Sequence, residues 1–308
     1  MEKNIQFSNQ NDDEIDLREL FAVLWVGRLK IISITIIFAF TSLIYALMVP
    51  NQYQATAQLA PSQSHSGDLS AALGQLGGLA SLAGVSIGGA EITETQIAKE
   101  IMMSWSFIEN FIAENDLAVA VYAAEGWDKK TNKLQIDRGI YDAKTWLIEH
   151  DNGQQGPPSS WELYESFLDR VTVSEDKKSG LISVSIEYYS PQIAKKWLDL
   201  YISAINKHMQ ERQVEKVSRN IEYLEAQINK TDIAEMQEVF YTIIEEQIKS
   251  KMLAEASPDY AFTAVSPSMV PEEKSQPKRV IICILGTLLG GIISILLVMI
   301  MHYFREEN

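Results

Sequence analysis

The chain has 308 residues, a formal net charge of −15 at pH 7 and a hydrophobic fraction of 46%. This acidic balance argues against nucleic acid or bulk anionic lipid as a partner, because both are themselves negatively charged. The sequence has one cysteine, Cys283, so no disulfide can form within the chain, and a chain of this length does not depend on one.

Two long uncharged runs divide the chain. Residues 31–49 form a run of 19 residues and residues 280–301 a run of 22, and about 20 apolar residues cross a hydrocarbon core. The first run is too long for the apolar part of a cleaved signal peptide, and no small-x-small cleavage site follows it. We therefore predict retained transmembrane helices at 31–49 and 280–303, with 50–279 between them long enough to bury a core of its own.

Basic residues around the first span indicate its orientation. Arg28 and Lys30 lie on its N-terminal side, and the next Lys or Arg is Lys99, which favours a cytoplasmic N-terminus. Residues 1–30 and 304–308 are then cytoplasmic, and the middle of the chain lies on the other side of the membrane. Three basic residues before the second span, Lys274, Lys278 and Arg279, would favour the opposite orientation, but we keep the orientation that the first span indicates. The first helix usually sets the orientation, and long segments cross largely regardless of charge.

The segment before the first span, EIDLRELFAVLW, carries apolar residues at roughly helical spacing. Two interpretations stay open: an amphipathic helix at the membrane surface with Trp25 in the interface, or a simple extension of the spanning helix. After Pro50 the stretch QYQATAQLA alternates and is rich in β-formers, which predicts a strand leaving the membrane.

Leu69–Ala90 is a third uncharged stretch, of 22 residues. Its six glycines and three serines make it weakly hydrophobic, so a mobile or interface-packed loop is favoured over a third span. It is not a phosphate-binding loop of the Walker type, because no Lys-Ser or Lys-Thr pair follows the glycines.

Helix and strand signals then alternate. Glu91–Asn115 has apolar residues at helical spacing and predicts one helix. A polar stretch with glycines and prolines leads to SSWELYESFLDRV, which predicts a second helix capped by Ser159 or Ser160. The stretch VTVSEDKKSGLISVSIEYY alternates on both sides of a polar turn at Gly180, which predicts a β-hairpin.

A long helical arm is predicted next. Ser190 stands at its N-cap and Pro191 at its first position, and no glycine or proline interrupts the chain until Pro258. An apolar beginning, a polar middle at 206–213 and a coiled-coil-like end predict an arm over about 191–256. Forty residues of helix reach ~60 Å.

The arm is expected to turn near Lys230, where Asp232 and Glu235 have the spacing of a capping box that restarts a helix. One unbroken rod is the alternative. YAFTAVSP predicts a final strand, and the spaced prolines after it predict a stiff connector to the second span. Lys278 and Arg279, at the end of this connector, are expected to meet lipid head groups.

Four stretches together resemble the chain length determinant (Wzz-like) family of polysaccharide co-polymerases, which are proteins of bacterial inner membranes. They are IDLRELFAVLW before the first span, YQATAQL after it, SPQIAKKWLDLYISAIN at the start of the long helix, and VSPSMVPEEKSQPKRVIICILGTLLGG at the second span. The resemblance covers both ends of the chain, and the middle by pattern alone. It implies an α+β periplasmic domain with a long helical arm, anchored by two transmembrane helices, that assembles into a homo-oligomeric ring.

Members of this family regulate the length of O-antigen or related surface polysaccharides beside a Wzy-type polymerase. The resemblance therefore implies as partners further copies of the chain, such a polymerase, the growing polysaccharide and membrane lipid. Some relatives carry or recruit a tyrosine kinase, but without a P-loop or tyrosine cluster this sequence favours the kinase-free branch. Two alternatives stay open: a co-polymerase for capsule or exopolysaccharide export and, less favoured, a two-span sensor of a periplasmic ligand.

No catalytic, cofactor-binding or metal site is expected, so we predict a protein that is not an enzyme. No serine lies in a G-x-S-x-G setting, and adjacent acids such as Glu245 and Glu246 are interpreted as solvated helix faces. The histidines are scattered without metal-ligand spacing: His65, His150, His208 and His302. Five tryptophans could stack on sugar rings, although core packing is expected to explain most of them: Trp105, Trp127, Trp146, Trp161 and Trp197.

Gly286 and Gly290 form a GxxxG pattern in the second span, with Gly291 beside it. This spacing lets two helices approach closely in a bilayer. We predict a helix-packing role for these three glycines; the partner could be the first span, a neighbouring copy or the polymerase.

Overall fold

The computed structural model describes residues 24–62, 93–150 and 153–306. It divides into two units, Met1–Pro50 with Gln276–Asn308, and Asn51–Ser275. The predicted loop at Leu69–Ala90 and nearly all of the predicted N-terminal helix lie outside the described residues.

The helices and strands of the described residues run in the following chain order. They are α1 (Arg28–Met48), β1 (Tyr53–Pro61), α2 (Glu94–Met102), α3 (Trp105–Glu114), α4 (Ala118–Tyr122), β2 (Ala124–Asp128), β3 (Lys133–Ile136), β4 (Tyr141–Asp142), β5 (Thr145–Trp146), β6 (Ile148–Glu149), β7 (Gln155–Gly156), α5 (Ser160–Leu168), β8 (Val171–Glu175), β9 (Ile182–Tyr188), α6 (Pro191–Ile228), α7 (Ala234–Ala256), β10 (Phe262–Ser266) and α8 (Arg279–Glu306).

The first unit consists of α1 and α8, the two helices at the predicted spans. Arg28–Met48 and Arg279–Met301 are 21 and 23 residues long with mean hydropathies of 2.3 and 2.8. Both are therefore long and apolar enough to cross a bilayer. Most of their large apolar side chains are exposed, as expected of helices whose outer faces meet lipid.

The second unit is built on a four-stranded antiparallel sheet in the order β10-β1-β9-β8. The predicted hairpin is confirmed as β8 and β9, and the predicted strand after Pro50 as β1. In β1 the side chains of Ala55, Ala57 and Leu59 are buried on one face. The polar residues between them are exposed, which is the period-2 pattern that the sequence shows.

An aromatic core joins this sheet to the helices. The long helix α6 contributes Trp197 and Tyr201, which pack against Phe167 of α5. Phe107 and Phe111 of α3 pack with their edges against Tyr201. Because each aromatic side chain buries about 150–250 Å², this cluster is a large share of the unit's hydrophobic stabilisation.

The predicted single helix at Glu91–Asn115 is wrong, because the chain forms two helices with a break at Met103 and Ser104. Ser104 is extended, and its hydroxyl donates to Ile101 O at 2.7 Å. A serine side chain that bonds to nearby backbone competes with the helical hydrogen bonds and favours such breaks.

The polar connection before α5 contains β2–β3 and two pairs of two-residue strands. Asp128 holds the β2–β3 turn by accepting from Lys130 N at 2.9 Å and Thr131 Oγ1 at 2.8 Å. The Lys130 N–H, and then the Thr131 hydroxyl, lower the pKa of the Asp128 carboxyl. Helix α5 begins as predicted: Ser159 and Glu162 form a capping box.

The arm consists of two helices, α6 of 38 residues and α7 of 23, so the single-rod alternative is wrong. The predicted capping box is also wrong, because Ile233 is the N-cap of α7 and makes no side-chain cap bond. Gln237 Nε2 instead donates to Thr231 O at 2.8 Å across the turn. At the other end, Ser190 is the N-cap residue as predicted, but its hydroxyl donates to Gln192 Oε1 and caps no backbone N–H.

Asn206, in the predicted polar middle of α6, is a buried residue with a structural role. It is 2% exposed, and its side chain accepts from Ala261 N at 2.9 Å and Phe262 N at 2.8 Å. It also donates to Phe262 O at 2.9 Å. One turn later Gln210 Nε2 donates to Ala254 O at 2.8 Å, near the end of α7. These polar side chains therefore tie α6 to the start of β10 and the end of α7.

We expect the second unit to lose stability in alkali because two of its tyrosines are buried. Burial raises the pKa of Tyr188 and Tyr201 above the usual 10.0 of a tyrosine. Because the folded pKa is the higher one, their contribution is complete below pH ~10 and is lost as the pH rises above it. We expect the free energy of unfolding to fall by up to ~1.4 kcal/mol per pH unit for each tyrosine. Melting temperatures measured from about pH 9 to 12 test this prediction. Tyr201→Phe should make the fall of melting temperature with pH less steep. The same steepness in the variant and the wild type would contradict the prediction.

Candidate functional site: the paired apolar helices

Helices α1 and α8 pack against each other in antiparallel fashion. Gly286 lies against Ser42, and Gly290 lies against Phe38. The residue numbers of the contacts thus fall along α1 as they rise along α8, which shows the antiparallel arrangement. This pairing lies within one unit of the structure.

The two glycines of the GxxxG pattern stand where α8 meets α1. A Cβ at Gly286 would overlap the Cβ of Ser42 and lie 2.8 Å from its Oγ; one at Gly290 would overlap the Cβ of Phe38 and lie 2.8 Å from its Cγ. Only a hydrogen fits at either position without a shift. Gly291 differs, because no described atom lies within 4 Å of where its Cβ would be.

Ser294 continues the same stripe, and sequence reasoning missed it. Its side chain is 0% exposed, its hydroxyl donates to Gly291 O at 2.7 Å, and its Oγ lies 3.4 Å from Thr35 Oγ1. The Thr35 hydroxyl donates to Ile31 O at 2.8 Å. Both polar groups are thus satisfied inside an apolar pair, as a bilayer requires. The missed signal is a small residue at every fourth position, Gly286, Gly290 and Ser294.

Arg279 lies at the N-terminal end of α8 beside the C-terminal end of α1. Its Nε donates to Ala46 O at 3.1 Å. The last carbonyls of a helix lack partners within that helix and carry partial negative charge, so a cation is favourable there. Lys278 is exposed, and its predicted contact with lipid head groups stays a prediction.

The histidines and paired acids, which are the side chains most suited to metal binding or acid–base chemistry, are dispersed. Within residues 24–62, 93–150 and 153–306, no three His, Cys, Asp or Glu side chains come together at metal-binding distance. His150 Nε2 lies 3.0 Å from Pro157 O, and His208 packs against Phe107. Glu245 and Glu246 lie 3.0 and 3.1 Å from Lys249 Nζ on an exposed face. His65 and the side chain of His302 lie outside the described part.

The five tryptophans differ in exposure, and the sequence did not predict which of them are exposed. Trp197 is buried in the core, and Trp127 and Trp146 are partly buried against tyrosines. Trp105 and Trp161, however, are 46% and 48% exposed. Core packing does not account for these two.

Comparison with known proteins gives a family match at the N-terminal third. Residues 13–115 match the family model "Wzz: Chain length determinant protein". No curated protein matches the chain. The resemblance to the chain length determinant family is thus confirmed over these residues, which include the first apolar helix and the strand after it.

Solved structures of polysaccharide co-polymerases are also similar to the chain. A full-length bacterial polysaccharide co-polymerase has 14% identity and a TM-score of 0.39, covering 95% of this chain and 99% of its own. A fragment of WzzB, the polysaccharide co-polymerase from Salmonella Typhimurium, has 12% identity and a TM-score of 0.31, covering 73% and 100%. A mutant of the Shigella flexneri lipopolysaccharide O-antigen chain-length regulator WzzBSF has 10% identity and a TM-score of 0.21, with the same coverage. At these TM-scores the likenesses carry no argument. The predicted α+β fold, with its long arm and two apolar end helices, is confirmed by the elements themselves.

Proposed function

We propose that this chain, which matches the chain length determinant family over residues 13–115, is a non-catalytic polysaccharide co-polymerase that regulates O-antigen chain length with a Wzy-type polymerase. The family match is the observation that carries the proposal. It coincides with two of the four stretches on which the resemblance rests, IDLRELFAVLW and YQATAQL.

The proposed placement follows from the two apolar helices. Helices α1 and α8 would cross the bacterial inner membrane, residues 1–30 and 304–308 would be cytoplasmic, and residues 50–279 would form the periplasmic domain. The basic residues before the first span support this orientation.

Exposed apolar residues on α7 support assembly into a homo-oligomer. They form two flanks: Met236, Val239 and Ile243, and Tyr241, Ile248 and Met252, with exposures of 40–63%. At 3.6 residues per turn the two flanks lie on nearly opposite sides of the helix, with the face toward α6 between them. Exposed apolar patches of this kind mark interaction surfaces. Two different patches on one helix suit a head-to-tail contact between copies, which is the kind that closes a ring.

The proposal is tested by the surface glycans of a strain that lacks this gene, beside the same strain with the gene restored. Deletion should replace a clustered ladder of lipopolysaccharide lengths with a random spread, and restoration should recover the cluster. An unchanged ladder with a loss of capsule or secreted polymer would assign the chain to the export branch of co-polymerases. No change in any glycan would refute the proposal.

A further inference from the structure

Two exposed tryptophans lie side by side on the surface of the second unit. Trp105 begins α3 and Trp161 lies in the first turn of α5; their ring centroids are 5.3 Å apart and the ring planes are at 84°. The two indoles therefore form a right-angled corner that faces solvent. A single exposed aromatic residue is normal on a protein surface, whereas two neighbouring exposed indoles present a joint apolar surface that a ligand can contact.

This corner is held in place by hydrogen bonds. Trp105 Nε1 donates to Ser160 Oγ at 2.7 Å. Tyr164 packs against Trp161 at 5.2 Å, and its hydroxyl donates to Met103 O at 3.2 Å. Neither indole must be ordered when a ligand arrives, so little conformational entropy is lost on binding.

Carboxylates flank the corner on both helices. Glu109 lies one turn after Trp105, and Glu165 one turn after Trp161, and both are exposed. Residues four apart share a helix face, so each indole has an acceptor beside it. An indole face carries negative electrostatic potential. Together these groups suit a ligand with a C–H-rich face and hydroxyl donors at its edge, and they disfavour an anion.

The size of the corner argues against a protein partner. A covered aromatic side chain buries about 150–250 Å², so two half-exposed indoles offer on the order of 200 Å². A stable protein interface needs about 800 Å² on each side. A surface of this size fits one or two sugar rings.

We propose that Trp105 and Trp161, with Glu109 and Glu165 at the rim, bind a pyranose ring of a neutral or amino-sugar glycan. This inference rests on the proposed function, because the glycan that it names is the polysaccharide whose length the chain would regulate. One C–H face stacks on an indole, and ring hydroxyls donate to the carboxylates.

The test measures binding of full-length protein in detergent to O-polysaccharide that has been cleaved from its lipid and labelled at its reducing end. Trp161→Ala should weaken binding about tenfold, because one stacking contact and its buried area are lost. Trp161→Tyr should bind within about threefold of wild type, because it keeps an aromatic face. Tyr223→Ala, which removes an aromatic residue 64% exposed on α6, serves as the matched control and should leave binding unchanged.

Two results would overturn the proposal. One is that the double variant Trp105→Ala/Trp161→Ala, shown to be folded by its melting temperature, binds the glycan as tightly as wild type, or that the wild-type protein itself does not bind the glycan. The other is a change in oligomer mass with unaltered glycan binding, which would make the corner a contact between copies. The lipopolysaccharide pattern of the strain that lacks the gene tests the proposed function separately, because it depends on the presence of the whole chain and not on the two tryptophans alone.

Discussion

Replacing Asn206 by leucine is expected to lower the free energy of unfolding of the second unit by about 3 kcal/mol. The buried side chain serves two backbone N–H groups and one carbonyl of residues 261–262. Leucine has a similar size but no polar atoms, so all three backbone groups would stay buried without partners. For a unit of this size the loss corresponds to roughly 6–12 °C in melting temperature.

Circular dichroism melting of the full chain in detergent measures this effect. Asn220 on the same helix provides the control, because its side chain is exposed and lies 3.4 Å from Gln247 Oε1. Asn220→Leu should change the free energy of unfolding by less than ~0.5 kcal/mol. Equal melting temperatures for the two variants would show that Asn206 does not hold β10.

Replacing Gly290 by leucine is expected to separate α1 from α8, whereas the same change at Gly291 should leave them paired. We propose that Gly286 and Gly290 are the packing positions of the pattern, because a side chain at either would overlap Ser42 or Phe38. Gly291 meets no described atom within 4 Å at its Cβ position and so provides a matched control one residue away. Overpacking of this kind costs about 1–3 kcal/mol, or roughly a factor of 5–150 in the pairing equilibrium.

Cross-linking in membranes measures the pairing. Thr35→Cys and Ser294→Cys place thiols where the hydroxyls are 3.4 Å apart, with Cys283→Ser to remove the native thiol. The disulfide should form readily with Gly291→Leu and at least fivefold less with Gly290→Leu. Equal cross-linking in both would contradict the packing role.

The parts of the fold that sequence predicted are those set by local pattern. The two long apolar helices follow from uncharged runs, the hairpin at β8 and β9 from alternation around Gly180, and the arm from a long interval without glycine or proline. Each signal depends on neighbours within a few residues, so it can be read without knowing the tertiary structure.

The parts that sequence missed depend on distant partners. Asn206 resembles a solvated polar residue because its neighbours are polar, but its partners are 55 and 56 residues away. The exposure of Trp105 and Trp161 depends on how α3 and α5 meet. In the apolar pair, Gly286 and Gly290 could be identified from spacing, but the difference between Gly290 and Gly291 required the position of α1.

Reconstitution tests the central claim most directly. Proteoliposomes would contain the Wzy-type polymerase and lipid-linked repeat units, with or without this chain, and the lengths of the products would be compared at equal total polymerisation. We predict that products cluster around one length when the chain is present and decay smoothly when it is absent. Identical length distributions in the two samples would contradict the account.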